Sequence, residues 1–256
     1  MPAGDDGALA RAREFERGSV ALVADVVTPI PEGWLARTPS LPLVSSLNLV
    51  TVTRPIALAR ALELTEEHLG GLQHRQLVLE DQPSGQRLAG ELRSRGWKVE
   101  CNLTLTLRRE ADHWRPTDMV IEPSEEEVLE LMRRWTGEDE ALRRAREAHR
   151  QVVEASRLTW LARSARRLGV RDDSSALAAM AFVFSDGEQA QVEDVYTVAE
   201  ARGRGFGRAV LTRAVELVRE RGYGFTFIVA DDNDWPKLLY AKLGFDAVGR
   251  TWIFHR

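Results

Sequence analysis

An α/β fold, a mixed twisted β-sheet flanked by helices, is predicted by three observations. Val192–Val198 and Phe225–Ala230 are rich in β-branched and aromatic residues, the types that suit a pleated surface. Residues 208–222, RAVLTRAVELVRERG, keep Val210, Leu211, Ala214, Val215, Leu217 and Val218 at helical spacing. Between that first strand and the helix runs Arg202-Gly203-Arg204-Gly205-Phe206-Gly207, a segment that reads as a turn.

Taken in order, the chain reads as two halves, with boundaries at 1–115 and 116–256. A short helix is predicted over Asp6–Arg17, and strands over Val20–Val27 and Leu47–Val52. The Pro-rich stretch TPIPEGWLARTPSLP between those strands reads as loop. Pro55 can start a helix whose apolar side carries Ile56, Leu58, Ala59, Leu62 and Leu64. A short strand at Gln76–Leu79 and a helix at Pro83–Arg95 precede a strand over Trp97–Leu107. In that strand Val99, Cys101, Leu103, Leu105 and Leu107 share a face. Arg108–Val120, with the turn signal Arg115-Pro116-Thr117-Asp118, reads as the linker. Ser124 then caps a helix, with Glu127 reaching back. The charged run from Glu138 to Arg157 makes a second helix with a mostly solvated face. Strands follow at Leu158–Ala162, Ala176–Phe184 and Ala190–Val198, with Asp186-Gly187 as the hairpin turn between the last two.

Composition excludes several classes. A net charge of −4 argues against a dedicated nucleic-acid surface or a polybasic membrane anchor. VALVADVV is short and broken by Asp25, and the charged N-terminal stretch lacks a signal-peptide core, so a cytoplasmic protein is expected. Lys98, Lys237 and Lys242 are the only lysines, an Arg bias that a GC-rich bacterial genome would explain. Cys101 is the only cysteine and sits in an alternating segment, so it reads as a packed strand thiol. The histidines at 68, 74, 113, 149 and 255 have no metal-ligand spacing, and no metal is implied.

The glycine turn carries the chemistry. Glycines at a strand–helix junction let backbone N–H groups approach an anion, and the helix N-terminus leaves first-turn donors unpaired. Phosphate or pyrophosphate is the natural guest. Glycines at 203, 205 and 207 do not match the dinucleotide-binding spacing, and Gly207 is followed by Arg208-Ala209 rather than the Lys-Ser/Thr of a phosphate-binding loop. An arginine–glycine RNA tract would sit in a disordered segment. A plain glycine-eased turn stays open on this feature alone.

The downstream residues add a second element. Phe225–Ala230 is followed by Asn233, then by a helix carrying Tyr240 and closing on Leu243-Gly244-Phe245. Together with Arg202-x-x-Gly205-x-Gly207, this resembles the GNAT superfamily of N-acyltransferases over Glu122–Arg256. The resemblance implies acetyl-CoA as co-substrate. Backbone groups of Val195 and Thr197 would bind the pantetheine arm and polarise the thioester carbonyl. The turn Arg202, Gly203, Arg204, Gly205, Phe206, Gly207 and Arg208 would hold the pyrophosphate, its N–H donors running from Gly203 to Arg208. Asn233 would bond the pantetheine amides, and Tyr240 would donate a proton to the leaving thiolate. As packing alternatives, Tyr240 would sit at a sheet edge and Asn233 would be a turn residue.

For the base, the family often uses a carboxylate on the strand at 190–198, which offers Glu193 and Asp194. Adjacent strand residues face opposite ways. Glu193 is preferred because it shares a face with Val195 and Thr197, and a bulge would reverse the choice. Asp231, Asp232 and Asp234 read as solvated loop charges near the site.

The N-terminal half repeats the C-terminal layout without its chemistry. RQLVLEDQPSGQRLAGELRSRGWKV parallels FTFIVADDNDWPKLLYAKLGFDAV, with Gly96-Trp97 against Gly244-Phe245 and Leu92 where Tyr240 stands. The counterpart of the glycine turn, VTVTRPIALARALEL, has no glycine. This half is read as a degenerate GNAT-like module, with an unrelated α/β cap as the alternative. The function implied is N-acetylation of a primary amine on a small molecule or peptide. A non-catalytic acyl-CoA sensor and a protein lysine acetyltransferase stay as alternatives.

Overall fold

The computed structural model describes residues 3–112 and 117–256, so the boundary expected between residues 115 and 116, the turn signal at Arg115-Pro116 and His113 lie outside the described residues. Helix α1 runs Ala3–Val23, with Asp5 and Asp6 in its first turn against the positive end of the dipole. It takes in the first half of the strand expected at 20–27, and strand β1 instead covers Val26–Ile30. The helix is held by packing: Ala12 and Phe15 are buried, and Arg13 Nη2 donates to the carbonyls of Glu80 (2.6 Å) and Arg250 (3.0 Å). The expected Pro-rich loop is a hairpin of β1 with β2 (Gly33–Arg37). Pro29 sits in β1 opposite Trp34, which an edge strand tolerates because one side needs no N–H donor.

Strand β3 (Leu49–Val52), helix α2 (Leu58–Leu69), strand β4 (Gln76–Leu79), helix α3 (Gln82–Ser94) and strand β5 (Lys98–Leu107) follow close to expectation. Asp81 caps α3 by accepting from Ser84 N at 2.9 Å, with Pro83 in the first turn. Helix α4 (Glu125–Thr136) has the capping box of Ser124 and Glu127. The single helix expected over 138–157 is two, α5 (Glu140–Arg144) and α6 (Arg146–Ala162), broken at Ala145. Residues 158–162 are the last turn of α6, not a strand. There Trp160 is buried and stacks on Phe182 with ring centroids 5.0 Å apart. The strand itself is β6 (Arg166–Arg171), in which Arg166 pairs with Glu122 and Arg171 with Glu127. Then come β7 (Leu177–Ser185), β8 (Gln189–Thr197), α7 (Phe206–Arg221), β9 (Phe225–Asp231), α8 (Pro236–Lys242) and β10 (Phe245–His255).

The chain divides into two compact units. The first comprises residues up to Thr104 together with Ala230–Asp234 and Val248–Arg256; the second comprises Leu105–Val229 and Trp235–Ala247. In the first, the antiparallel run β1-β2-β3 joins β4 by a parallel pair, and β4 pairs antiparallel with β10. Val50, Val52, Leu64, Leu69, Leu77, Leu79, Leu88, Leu92 and Phe254 form its core. Leu92, at the place matching Tyr240, is thus a packing residue.

In the second unit β6, β7 and β8 are antiparallel and β8 pairs parallel with β9. Every residue from Leu177 to Phe184 is buried, as in a strand covered on both faces. One face meets α4 and α6, where Trp135 stacks on Tyr196 at 5.4 Å. The other meets α7, where a Cβ on Gly207 would lie 3.0 Å from Thr197 Oγ1.

Candidate active site

Strand β8 and the N-terminus of α7 build the centre of the site. The β8·β9 ladder pairs Gln189 with Phe225 through Val192 with Ile228 and stops there, although β8 runs on to Thr197 and β9 to Asp231. The edge of β8 from Glu193 to Thr197 is therefore unmatched by its parallel neighbour. A ligand with amide groups could add to that edge as an extra strand does.

A bulge lies in the same stretch. Met180 pairs with Tyr196 and Phe182 with Glu193, so Asp194 and Val195 together oppose Ala181. Asp194 holds φ at 51°, a left-handed conformation uncommon outside glycine. The bulge overturns the face argument for Glu193. Registered opposite Phe182, Glu193 shares its face with Gln191 and Tyr196 and turns toward α4 and α6, while Thr197 turns toward α7. Glu193 accepts a hydrogen bond from Gln191 Nε2 at 2.8 Å. Burial pushes the Asp194 carboxyl up to about 6.

The glycine turn has the form that anion binding needs. Gly203 (φ 79°) and Gly205 (φ 85°) are both left-handed, and Gly205 is the N-cap of α7. An added Cβ at Gly205 would meet nothing within 4 Å, so the space beside the first turn is open. Arg204 is engaged elsewhere: it forks onto Asp173 at 2.9 and 3.0 Å and lies 4.7 Å from the Phe206 ring centroid. Arg202 Nε donates to the Thr197 carbonyl at 3.1 Å, and its Nη2 lies 3.5 Å from Glu138. The Arg208 side chain makes no hydrogen bond or ion pair among the described residues. Phe206 is buried and anchors the helix start.

Sequence reasoning missed Glu138. It accepts the Tyr196 hydroxyl, and with desolvation as the main cause it drives that phenol up to about 12. Glu138 thereby links the end of α4 to both β8 and Arg202. A sequence separation of 58 residues leaves no local signal for that contact.

Tyr240 is buried on α8, which begins at Pro236. Asn233 belongs to the first unit, where its backbone N–H and its side-chain amide both donate to Asp231 Oδ1, at 2.8 and 3.3 Å. Asp232 Oδ2 accepts from Arg250 Nε at 2.7 Å. Cys101 is a buried strand thiol. Among the described residues no group of three His, Cys, Asp or Glu side chains is placed to hold a metal ion, and no helix is long and apolar enough to cross a membrane.

Residues 126–245 match the model of the Acetyltransferase (GNAT) family. The chain carries a GNAT domain. Members of that family are acyltransferases, and the matched span contains the glycine turn, the bulged strand and Tyr240. Solved structures agree in fold. A functionally unknown conserved protein from Staphylococcus epidermidis superposes with a TM-score of 0.69 at 12% identity, covering 92% of this chain and 94% of that one. A GCN5-related N-acetyltransferase from Kribbella flavida gives 0.61 at 16% identity, covering 97% and 95%. At such identities the likeness shows the fold alone. No curated protein matches the sequence.

Proposed function

We propose that the protein is an acetyl-CoA-dependent N-acetyltransferase acting on a primary amine of a small molecule or peptide. The observation that carries this reading is the β8 edge left open beyond Val192, leading into a left-handed glycine turn at the start of α7. The residues present fit the co-substrate: first-turn N–H groups, open space at Gly205 and the uncommitted Arg208 suit a pyrophosphate. Backbone groups of Val195 and Thr197 line the open edge and would hold the amide-bearing arm. When bound, acetyl-CoA would supply the acetyl thioester; the amine nitrogen–carbon bond forms as the carbon–sulfur bond breaks.

Two side chains then move protons. Asp194, with its raised pKa, takes the proton that the amine must lose, directly or through water. The hydroxyl of Tyr240 gives a proton to the departing sulfur. Asp194 replaces Glu193 as the preferred base because the bulge sends Glu193 to the other face. A binder that only senses acyl-CoA would need the turn but not these two groups.

The first unit lacks the same opening. Its parallel pair β3·β4 continues from Val50·Leu77 to Val52·Leu79, and Glu80 N still donates to Val52 O at 2.9 Å. Before α2, Pro55 has no N–H, and Ile56 N is taken by Ser84 Oγ at 3.2 Å. Calorimetry with acetyl-CoA is therefore expected to give one site per chain, and a stoichiometry of two would show the first unit to be a second cofactor domain. Thiol release over a panel of amines tests the transferase reading. CoA binding without turnover on any amine would favour the sensor.

A paired substitution at Gly205 separates strain from obstruction. Val at this left-handed position adds about 1–2 kcal/mol of backbone strain, whereas Asn tolerates it. Gly205→Asn is expected to keep the melting temperature and still weaken CoA by about tenfold or more, as loss of charge-assisted hydrogen bonds does. Unchanged CoA affinity in the folded Asn variant would remove the turn from the site.

A further inference from the structure

The first unit contains a cavity of about 290 Å³ whose lining includes none of the groups proposed above for the pyrophosphate, the base or the acid. It is lined by α3 through Gln82, Gln86 and Arg93, by β5 through Val99 and Cys101, by Asp232 and Asn233, and by Arg250 and Trp252 of β10, and it opens to solvent. We propose that this cavity is a binding site for a small organic carboxylate carrying an apolar group.

Its walls are tied together before any ligand arrives. Asp232 N donates to the Cys101 carbonyl at 2.8 Å, and Arg250 N donates to Gln82 Oε1 at 3.2 Å. Trp252 is set by close packing against α3: an added Cβ on Gly85 would sit 2.1 Å from its ring, so only glycine leaves room for the indole. Such preorganisation lowers the ordering cost of binding.

The polar groups choose the ligand. Asp232 holds Arg250 by Nε alone, at 2.7 Å, which fixes the guanidinium plane. The terminal nitrogens of Arg250 have no partner among the described residues. The Arg93 side chain makes no hydrogen bond or ion pair there either. Two guanidinium groups against one carboxylate leave a positive balance, and the guanidinium fork matches a carboxylate in shape. The Gln86 amide offers a further donor. The indole N–H of Trp252 is buried without a partner, a cost of about 1–3 kcal/mol that an oxygen acceptor would relieve. Val99 and the Trp252 ring give the apolar wall. The volume is at the low end of small-molecule pockets, which sets the ligand at metabolite size.

Ligand-observed NMR on the full chain tests the assignment, with phenylacetate, benzoate and succinate as probes and phenylacetamide as the neutral match. The expected result is that phenylacetate binds and phenylacetamide does not. Arg93→Gln and Arg250→Gln should each weaken phenylacetate by about tenfold or more, as charge-assisted bonds are lost. Arg93 is exposed, so its variant is expected to fold even if Arg250→Gln does not. Affinity for acetyl-CoA should stay unchanged in Arg93→Gln, which keeps this test separate from that of the transferase site. Binding of the acid and the amide alike, undiminished binding in a folded Arg93→Gln chain, or displacement of the acid by CoA would each overturn the proposal. Failure of all three acids to bind would do so too.

Discussion

Replacing Tyr240 with Phe is expected to lower turnover by about 10²–10⁴-fold, the usual effect of removing a positioned general acid. Tyr240 is buried, and Phe keeps its ring, so packing and CoA affinity should change little. The loss should appear in kcat while the acceptor KM moves much less, the pattern of an interaction made mainly in the transition state. Single-turnover measurement of thiol release reads this directly. Wild-type turnover in the variant would leave Tyr240 as a packing residue and require another proton source.

Asp194→Asn should cost turnover on the same scale, about 10²–10⁴-fold, and it also changes the pH profile. With the carboxyl pushed up to about 6, the wild-type rate should rise with pH through that value and level off above it. The Asn variant should lose that limb. Asn also tolerates the left-handed backbone at 194, so the bulge is expected to survive. Stability has the opposite sign. Because the folded state holds this proton more tightly than the unfolded chain, Asp194 makes the protein less stable as pH rises from about 4 to about 6. Above that window its contribution is constant. Melting curves of wild type and Asp194→Asn at pH 4.5 and 7 should thus diverge toward the higher pH, with the Asn variant gaining. If Glu193→Gln removes the limb instead, the base is Glu193 and the strand assignment is reversed.

What the sequence made legible were features specified by local chemistry. A left-handed turn wants glycine, and Gly203 and Gly205 supplied it; Ser124 with Glu127 announced a helix start; Asp186-Gly187 announced a hairpin. Errors arose where tertiary packing outweighed local preference. Residues 20–23 are as suited to a strand as to a helix, and Val20 goes to the helix that packs against Trp34, Ala36 and Leu49. Residues 158–162 read as a buried strand because a short apolar run carries no period; Trp160 on Phe182 decides for helix. Pro29 hid an edge strand. The face argument for Glu193 failed for a different reason. A bulge exists only relative to a partner strand, so the extra residue at 194 is invisible until Ala181 is set opposite it.

The interrupted make-up of the first unit bears on the order in which the chain folds during synthesis. Its core includes Phe254, and β4 is bordered by residues 252–255 of β10. The helices and strands made first therefore emerge from the ribosome without one flank of their sheet, and Leu77 and Leu79 must wait for residues translated long after them. The second unit lacks only local material by the time α8 and the start of β10 are made. The unit begun first is thus completed last, and the exposed edge of β4 is the place where a nascent chain is open to mispairing or to a chaperone.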